Sequence, residues 1–196
     1  IVPGGRAFFE FLSSAFVKVV SFAMVGAEFI FNDLARAEAF GFVFAFQVLP
    51  TIIFFASLMG VLYHLGLMQK VVQGMAWVMQ KVLNVSGSES LAVAANVFVG
   101  QTEAPLVVRP YIARMTESEL FTMMVGGMAT IAGAVLAAYI ALLGGPDPEA
   151  QLFYARHLLA ASVMAAPATI VLAKILRPET GESLTMGTVK LHVEKS

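Results

Sequence analysis

Residues 86–114 read SGSESLAVAANVFVGQTEAPLVVRPYIAR. Ser86 and Glu89 have the spacing of a capping box, so a helix starts near Ser86. Its apolar run reaches only Val99, which allows about ten residues and ~15 Å, half of a ~30 Å hydrocarbon core. Gly100-Gln101-Thr102-Glu103 then interrupts it. Gly100 permits the positive φ of a turn. Thr102 is placed to cap a second helix, Glu103 falls in its first turn, and Pro105 is tolerated there because no donor is needed. The second half runs on to Arg109 and Arg114. Two half-length helices with a polar tip describe a re-entrant hairpin.

Around that hairpin the chain is built for lipid. Of 196 residues 59% are apolar and 13% charged, against the ~25% charged of ordinary soluble domains. With no cysteine, a disulfide scaffold and a thiolate metal site are excluded. A net charge of -1 argues against nucleic acid, which calls for a basic face. Three charge-free runs, 39–63, 120–146 and 158–173, are 25, 27 and 16 residues long. The first two exceed the hydrocarbon thickness at ~1.5 Å per residue. Residues 150–154 lengthen the third, with Arg156 snorkelling, so three transmembrane spans are predicted.

Two further segments read as interfacial helices. In 67–83, Met68, Val71, Val72, Met75, Val78, Met79 and Val82 share one face, Gln69, Lys70, Gln73, Gln80 and Lys81 fall largely opposite, and Trp77 suits headgroup depth. Residues 8–31 are more apolar but are interrupted by Glu10, Lys18 and Glu28, and read as interfacial or packed against other helices. The polar stretch 178–196 reads as an aqueous loop. If the spans alternate and the hairpin returns to the side it left, Lys70, Lys81, Arg109, Arg114, Lys174, Arg177, Lys190 and Lys195 share one side, against Arg6, Lys18, Arg36 and Arg156. Eight against four makes the first side cytoplasmic. The chain opens on Ile1 without the basic start and apolar core of a signal peptide, and it stops in polar sequence. A piece of a longer polytopic protein is expected.

Irregular backbone at membrane depth survives only where protein or a wet cavity satisfies it. A carboxylate there costs at least ~2.5–3.5 kcal/mol, which makes Glu103 a functional candidate, with Asn96, Gln101 and Thr102 converging on the same turn. The plainer readings are a helix-start carboxylate near an interface for Glu103 and a hydrogen bond between hairpin arms for Asn96. Downstream, Gly126-Gly127 and Thr130-Ile131-Ala132-Gly133 weaken the interior of the long span. They suit either close helix packing or a broken helix whose freed carbonyls face an alkali ion. Discontinuous helices meeting at mid-membrane are the construction of secondary transporters. An enzyme finds no support: His64, His157 and His192 are scattered, and neither HExxH nor GxSxG occurs.

Asn96-Val97-Phe98-Val99-Gly100-Gln101-Thr102-Glu103-Ala104-Pro105-Leu106, followed by Arg109-Pro110-Tyr111, Met115-Thr116, Glu119-Leu120 and Gly126-Gly127-Met128-Ala129-Thr130-Ile131-Ala132-Gly133, resembles the concentrative nucleoside transporters over more than half the chain. The resemblance implies an all-α homotrimer in the plasma membrane (the inner membrane, if bacterial), each subunit having a scaffold and a mobile transport domain. This chain then corresponds to the first half of an inverted-repeat transporter. Residues 1–66 would be scaffold, 67–176 transport domain (hairpin 86–114, broken span 115–146, span 150–176) and 177–196 a cytoplasmic loop. By motif, Gly100, Gln101, Thr102 and Glu103 would meet the nucleobase, and Val135 would pack against it. Asn96, the carbonyls of Val99 and Ile131, and Thr130 would bind sodium. The expected activity is sodium-coupled nucleoside symport by elevator-type alternating access, with no cofactor. Proton coupling and a non-transporting oligomeric membrane module are the alternatives.

Overall fold

A computed structural model describes residues 3–145 and 147–186, and its regular structure is all helical. Helix α1 (Pro3–Phe31) leads through a 3-10 turn (Asn32–Ala35) to α2 (Ala37–Phe40), α3 (Phe44–Gln47) and α4 (Leu49–His64). Next come α5 (Leu67–Leu83), α6 (Gly87–Asn96), α7 (Ala104–Val107) and α8 (Arg109–Ile112). Helices α9 (Glu117–Ala129), α10 (Gly133–Gly144) and α11 (Pro148–Leu176) complete the order. Lys190, His192 and Lys195 lie outside the described residues.

Four stretches are long and apolar enough to cross a membrane: Phe9–Phe40, Phe44–His64, Glu117–Gly144 and Pro148–Leu176. The last three overlap the spans read from sequence. The first takes in most of α1, expected in the interface or packed against other helices, and its length and composition also meet the requirements of a span. One boundary is corrected. The run 39–63 is not one rod, because the helix stops at Phe40 and restarts at Phe44, with Gly41 at φ +71° between them. Hydropathy is silent about that break, since Phe40, Phe42 and Val43 are as apolar as a span; glycine was its only signal.

The chain forms two compact units. One comprises Ile1–Leu58 and Gly133–Ala161. Its core is Val20, Phe55 and Ala137, with the Phe16 ring 4.9 Å from that of Phe55. The other comprises Met59–Ala132 and Ser162–Ser196. There α5 and α9 pack on α6, and Ala166 and Ile170 of α11 join the same core. Helix α5 is bracketed by left-handed Gly66 and Asn84, which set its ends at the predicted residues. Its buried stripe is Met68, Val72, Ala76 and Met79, narrower than the expected face. Val71, Val78, Val82 and Trp77 are exposed, and the Lys81 ammonium sits 5.1 Å from the Trp77 ring centroid.

Candidate functional site

The site is built on α6. Ser86 caps it as the spacing predicts: its hydroxyl accepts from the Glu89 N–H, and the Glu89 carboxylate accepts from the Ser86 N–H at 2.8 Å. All ten residues of α6 are buried. Lipid offers little hydrophobic drive for helices to associate, so close van der Waals packing of small side chains must do it. Gly126 and Gly127 of α9 supply that close approach, against Val93 and Asn96 of α6, while Ala92, Ala94 and Ala95 keep the rest of α6 slim within the same core. A Cβ on Gly126 would stand 2.9 Å from Val93 Cγ2, and one on Gly127 3.1 Å from Gln101 Cβ.

The bases of α6 and α9 are tied together by polar groups that sequence reading missed. Thr116 and Glu119 form a second capping box, with the Glu119 carboxylate accepting from the Thr116 N–H at 2.8 Å. The Glu119 carboxylate also accepts from the hydroxyls of Ser183 and Thr185. The Gly87 N–H donates to the Thr185 carbonyl at 2.8 Å. Lys174 pairs with buried Glu89 at 2.9 Å and donates to the Ser118 hydroxyl. The Thr116–Glu119 spacing repeats that of Ser86–Glu89 and was the available signal. The strap residues Ser183 and Thr185 carry none, because they act at long sequence separation.

At the other end of α6 the predicted interruption is present. Residues 97–103 turn, and α7 folds back against α6. Two local expectations are corrected. Gly100 is not among the positive-φ residues; what its missing Cβ provides is room for Glu103 Oε2, which would lie 3.0 Å from such an atom. Nor does Thr102 cap the second arm. Glu103 is its N-cap, without a side-chain capping bond, because its carboxylate folds back to accept the Gly100 N–H at 2.7 Å. Pro105 stands in the first turn as predicted. Gln101, Thr102 and Glu103 are all exposed.

Helix α9 ends at Thr130, whose backbone is extended (φ -112°, ψ 155°), and α10 begins at Gly133. The Thr130 hydroxyl lies 3.3 Å from the Asn96 carbonyl and 3.0 Å from that of Gly126, so the break in α9 meets the C-terminus of α6. Asn96 is 2% exposed, and its amide Nδ2 has no hydrogen-bond partner. The carbonyls at these two helix C-termini and the Thr130 hydroxyl form an oxygen-rich, partially negative corner, to which Asn96 could add only its Oδ1, since the unpaired Nδ2 is a donor. That donor set suits a hard alkali cation, and no His, Cys, Asp and Glu cluster fit for a metal occurs among the described residues. Val99 and Ile131 are half-buried on the two interrupted segments. Val135 belongs to the other unit, on α10, and is 39% exposed.

The Gate family model, described as nucleoside recognition, matches residues 45–146, which take in the hairpin and the broken helix. The chain belongs to this family. Within it, sodium/nucleoside cotransporter 1 of Rattus norvegicus is 48% identical over 181 residues, 92% of this chain and 26% of that protein. An uncharacterized transporter of Haemophilus influenzae is 47% identical over 180 residues, 91% of this chain and 41% of that protein. Among solved structures, CNTnw in an inward-facing substrate-bound state superposes with a TM-score of 0.84 at 47% identity, covering 96% of this chain and 44% of that one. The resemblance to concentrative nucleoside transporters is therefore borne out, and the chain spans less than half the length of these relatives. They are named as transporters and not as enzymes, and the chain is part of an integral membrane protein.

Proposed function

We propose that the protein containing this chain is a sodium-coupled nucleoside symporter, and that this chain holds one half of its binding site. The observation that carries the reading is the pairing of the exposed polar tip Gln101-Thr102-Glu103 with the buried oxygen corner at Asn96 and Thr130. Sodium binds at Asn96, Thr130 and the carbonyls of Val99 and Ile131. It thereby orders the turn that presents Gly100 through Glu103 and lowers the entropic cost of taking up the nucleoside. The nucleobase then hydrogen-bonds to Gln101, Thr102 and Glu103, and Val135 packs against it. The relatives named as sodium/nucleoside cotransporters support both halves of this assignment.

The carrier is a plasma-membrane homotrimer (inner membrane, if bacterial) with elevator-type alternating access. Residues 1–66 contribute to its scaffold, with α1 and α5 in the two interfaces, and residues 67–176 belong to the body that moves. Residues 177–196 lie in the cytoplasm. The hairpin is re-entrant, and the chain is the first of two inverted repeats. At ~100 mV each sodium supplies about 2.3 kcal/mol, enough for roughly fifty-fold accumulation of a neutral nucleoside.

The test is uptake of labelled uridine by the complete protein in liposomes with and without an inward sodium gradient. Sodium should drive accumulation, and Glu103→Gln and Gln101→Ala should each abolish most of it. Uptake that follows pH and ignores sodium overturns the coupling ion. Unchanged uptake in both variants overturns the site.

A further inference from the structure

Within the first unit a cavity of about 490 Å³ opens where several helix ends meet. The last turns of α1 and the 3-10 turn with α2 form one side, the start of the span Phe44–His64 another, and the end of α10 a third. The start of Phe44–His64 and the end of Glu117–Gly144 are ends of candidate spans, where hydrocarbon gives way to headgroups, and the proposed place of α1 in the interface puts the cavity at the same depth. Its volume falls within the ~300–1,000 Å³ of small-molecule sites.

Its lining divides by chemistry. Phe42, Phe46 and Leu142 are apolar; Glu28, Arg36 and Glu38 are charged. The Arg36 guanidinium is half exposed and only loosely held, 3.7 Å from Glu28 and 3.4 Å from Asp33. Tight charge-assisted bonds run to ~2.7–2.9 Å, and a guanidinium has five donors, so Arg36 retains N–H groups for another acceptor. A lone phosphate would find Arg36 but would also face two carboxylates. A headgroup that joins its phosphate to an ammonium by a short linker satisfies both signs, and ammonium hydrogens suit carboxylates better than a quaternary methyl shell does. Next to these residues in sequence, Phe29, Ile30, Phe40 and Phe44 stand 90%, 70%, 63% and 50% exposed, an apolar border suited to acyl chains.

We propose that this cavity binds a phospholipid with a primary-amine zwitterionic headgroup, of the phosphatidylethanolamine class. Arg36 takes the phosphate, Glu28 and Glu38 take the ammonium, and Phe42 and Phe46 wall the glycerol and the first methylenes.

The test is native mass spectrometry of the complete protein in detergent, with phosphatidylethanolamine, phosphatidylglycerol and phosphatidylcholine of identical chains added at equal concentration. Phosphatidylethanolamine should be retained about fivefold over phosphatidylglycerol, the scale that two partly exposed charge pairs supply together. Phosphatidylcholine should fall between them. Arg36→Ala should reduce retention of all three. The double variant Glu28→Gln/Glu38→Gln should raise phosphatidylglycerol to the level of phosphatidylethanolamine, a gain that damaged folding cannot mimic. All three side chains are exposed, and unchanged thermal unfolding would show that the variants fold. Equal retention of the three lipids by the native protein, or a preference that survives the double variant, overturns the proposal. So does a polypeptide segment occupying the cavity when the complete protein is solved in lipid.

Discussion

The two arms of the hairpin are nearly equal in residues but opposite in character. Every residue of α6 is buried, its N-terminus is capped, and its base is tied to α9 through Glu119, Ser183 and Thr185. The second arm is two single turns, α7 and α8, divided at Val108, with Leu106, Arg109 and Pro110 exposed. Proline explains the division: Pro110 offers no N–H to the Leu106 carbonyl, and its ring crowds that same carbonyl. A rigid arm and a compliant one suit different tasks. In the proposed symport an alkali ion needs oxygens held at fixed separation, and the end of α6 offers them. In the same proposal a nucleobase arrives from outside the chain and needs exposed donors and acceptors, which the tip leading into the looser arm offers.

The sharpest way to break that contrast is to hollow out the rigid arm. Leu91 is 2% exposed in the middle of α6, so Leu91→Ala leaves a cavity that close-packed neighbours fill only in part. The expected loss is about 2–5 kcal/mol, read as a lowered midpoint in thermal unfolding of the detergent-solubilised protein. Gly126→Ala attacks the same packing from α9. The added methyl meets Val93 Cγ2 at 2.9 Å, and a β-branched neighbour on a helix has little rotamer freedom to give way. Overpacking of this kind costs about 1–3 kcal/mol. If Gly126→Ala unfolds at the native temperature, α6 and α9 are not packed as described.

The rigid arm was the more legible of the two in the sequence. Ser86–Glu89 spacing fixed its start, Gly100 through Glu103 announced the turn, and the glycines with Thr130 announced the break in the long span. What escaped were features decided by tertiary packing. The Glu103 carboxylate turns back to Gly100, so the capping role passed from Thr102 to a residue that cannot use its side chain for it. The strap at Ser183 and Thr185 acts on a helix more than sixty residues away, and no local pattern encodes it. The interruption between Phe40 and Phe44 lies in an apolar run, where hydropathy and helicity part company.

A milder change separates local from tertiary support. Ser86→Ala removes the hydroxyl that accepts from the Glu89 N–H while leaving the Glu89 carboxylate on the Ser86 N–H. Loss of an N-cap hydroxyl costs about 1 kcal/mol, so the unfolding midpoint should fall less than in either packing variant.

The smallest expected effect belongs to the compliant arm. Leu106 is 61% exposed on α7, so Leu106→Ala removes side-chain atoms that touch little protein and opens no cavity. Its effect on unfolding should stay within about 0.5 kcal/mol, as for substitutions away from packed groups. Set beside Leu91→Ala, the same chemical deletion a few turns away, this near-silence is what makes the comparison informative. If both arms lost stability equally, burial would not be what distinguishes them, and the proposed division between an ion-holding arm and a substrate-meeting one would lose its physical basis.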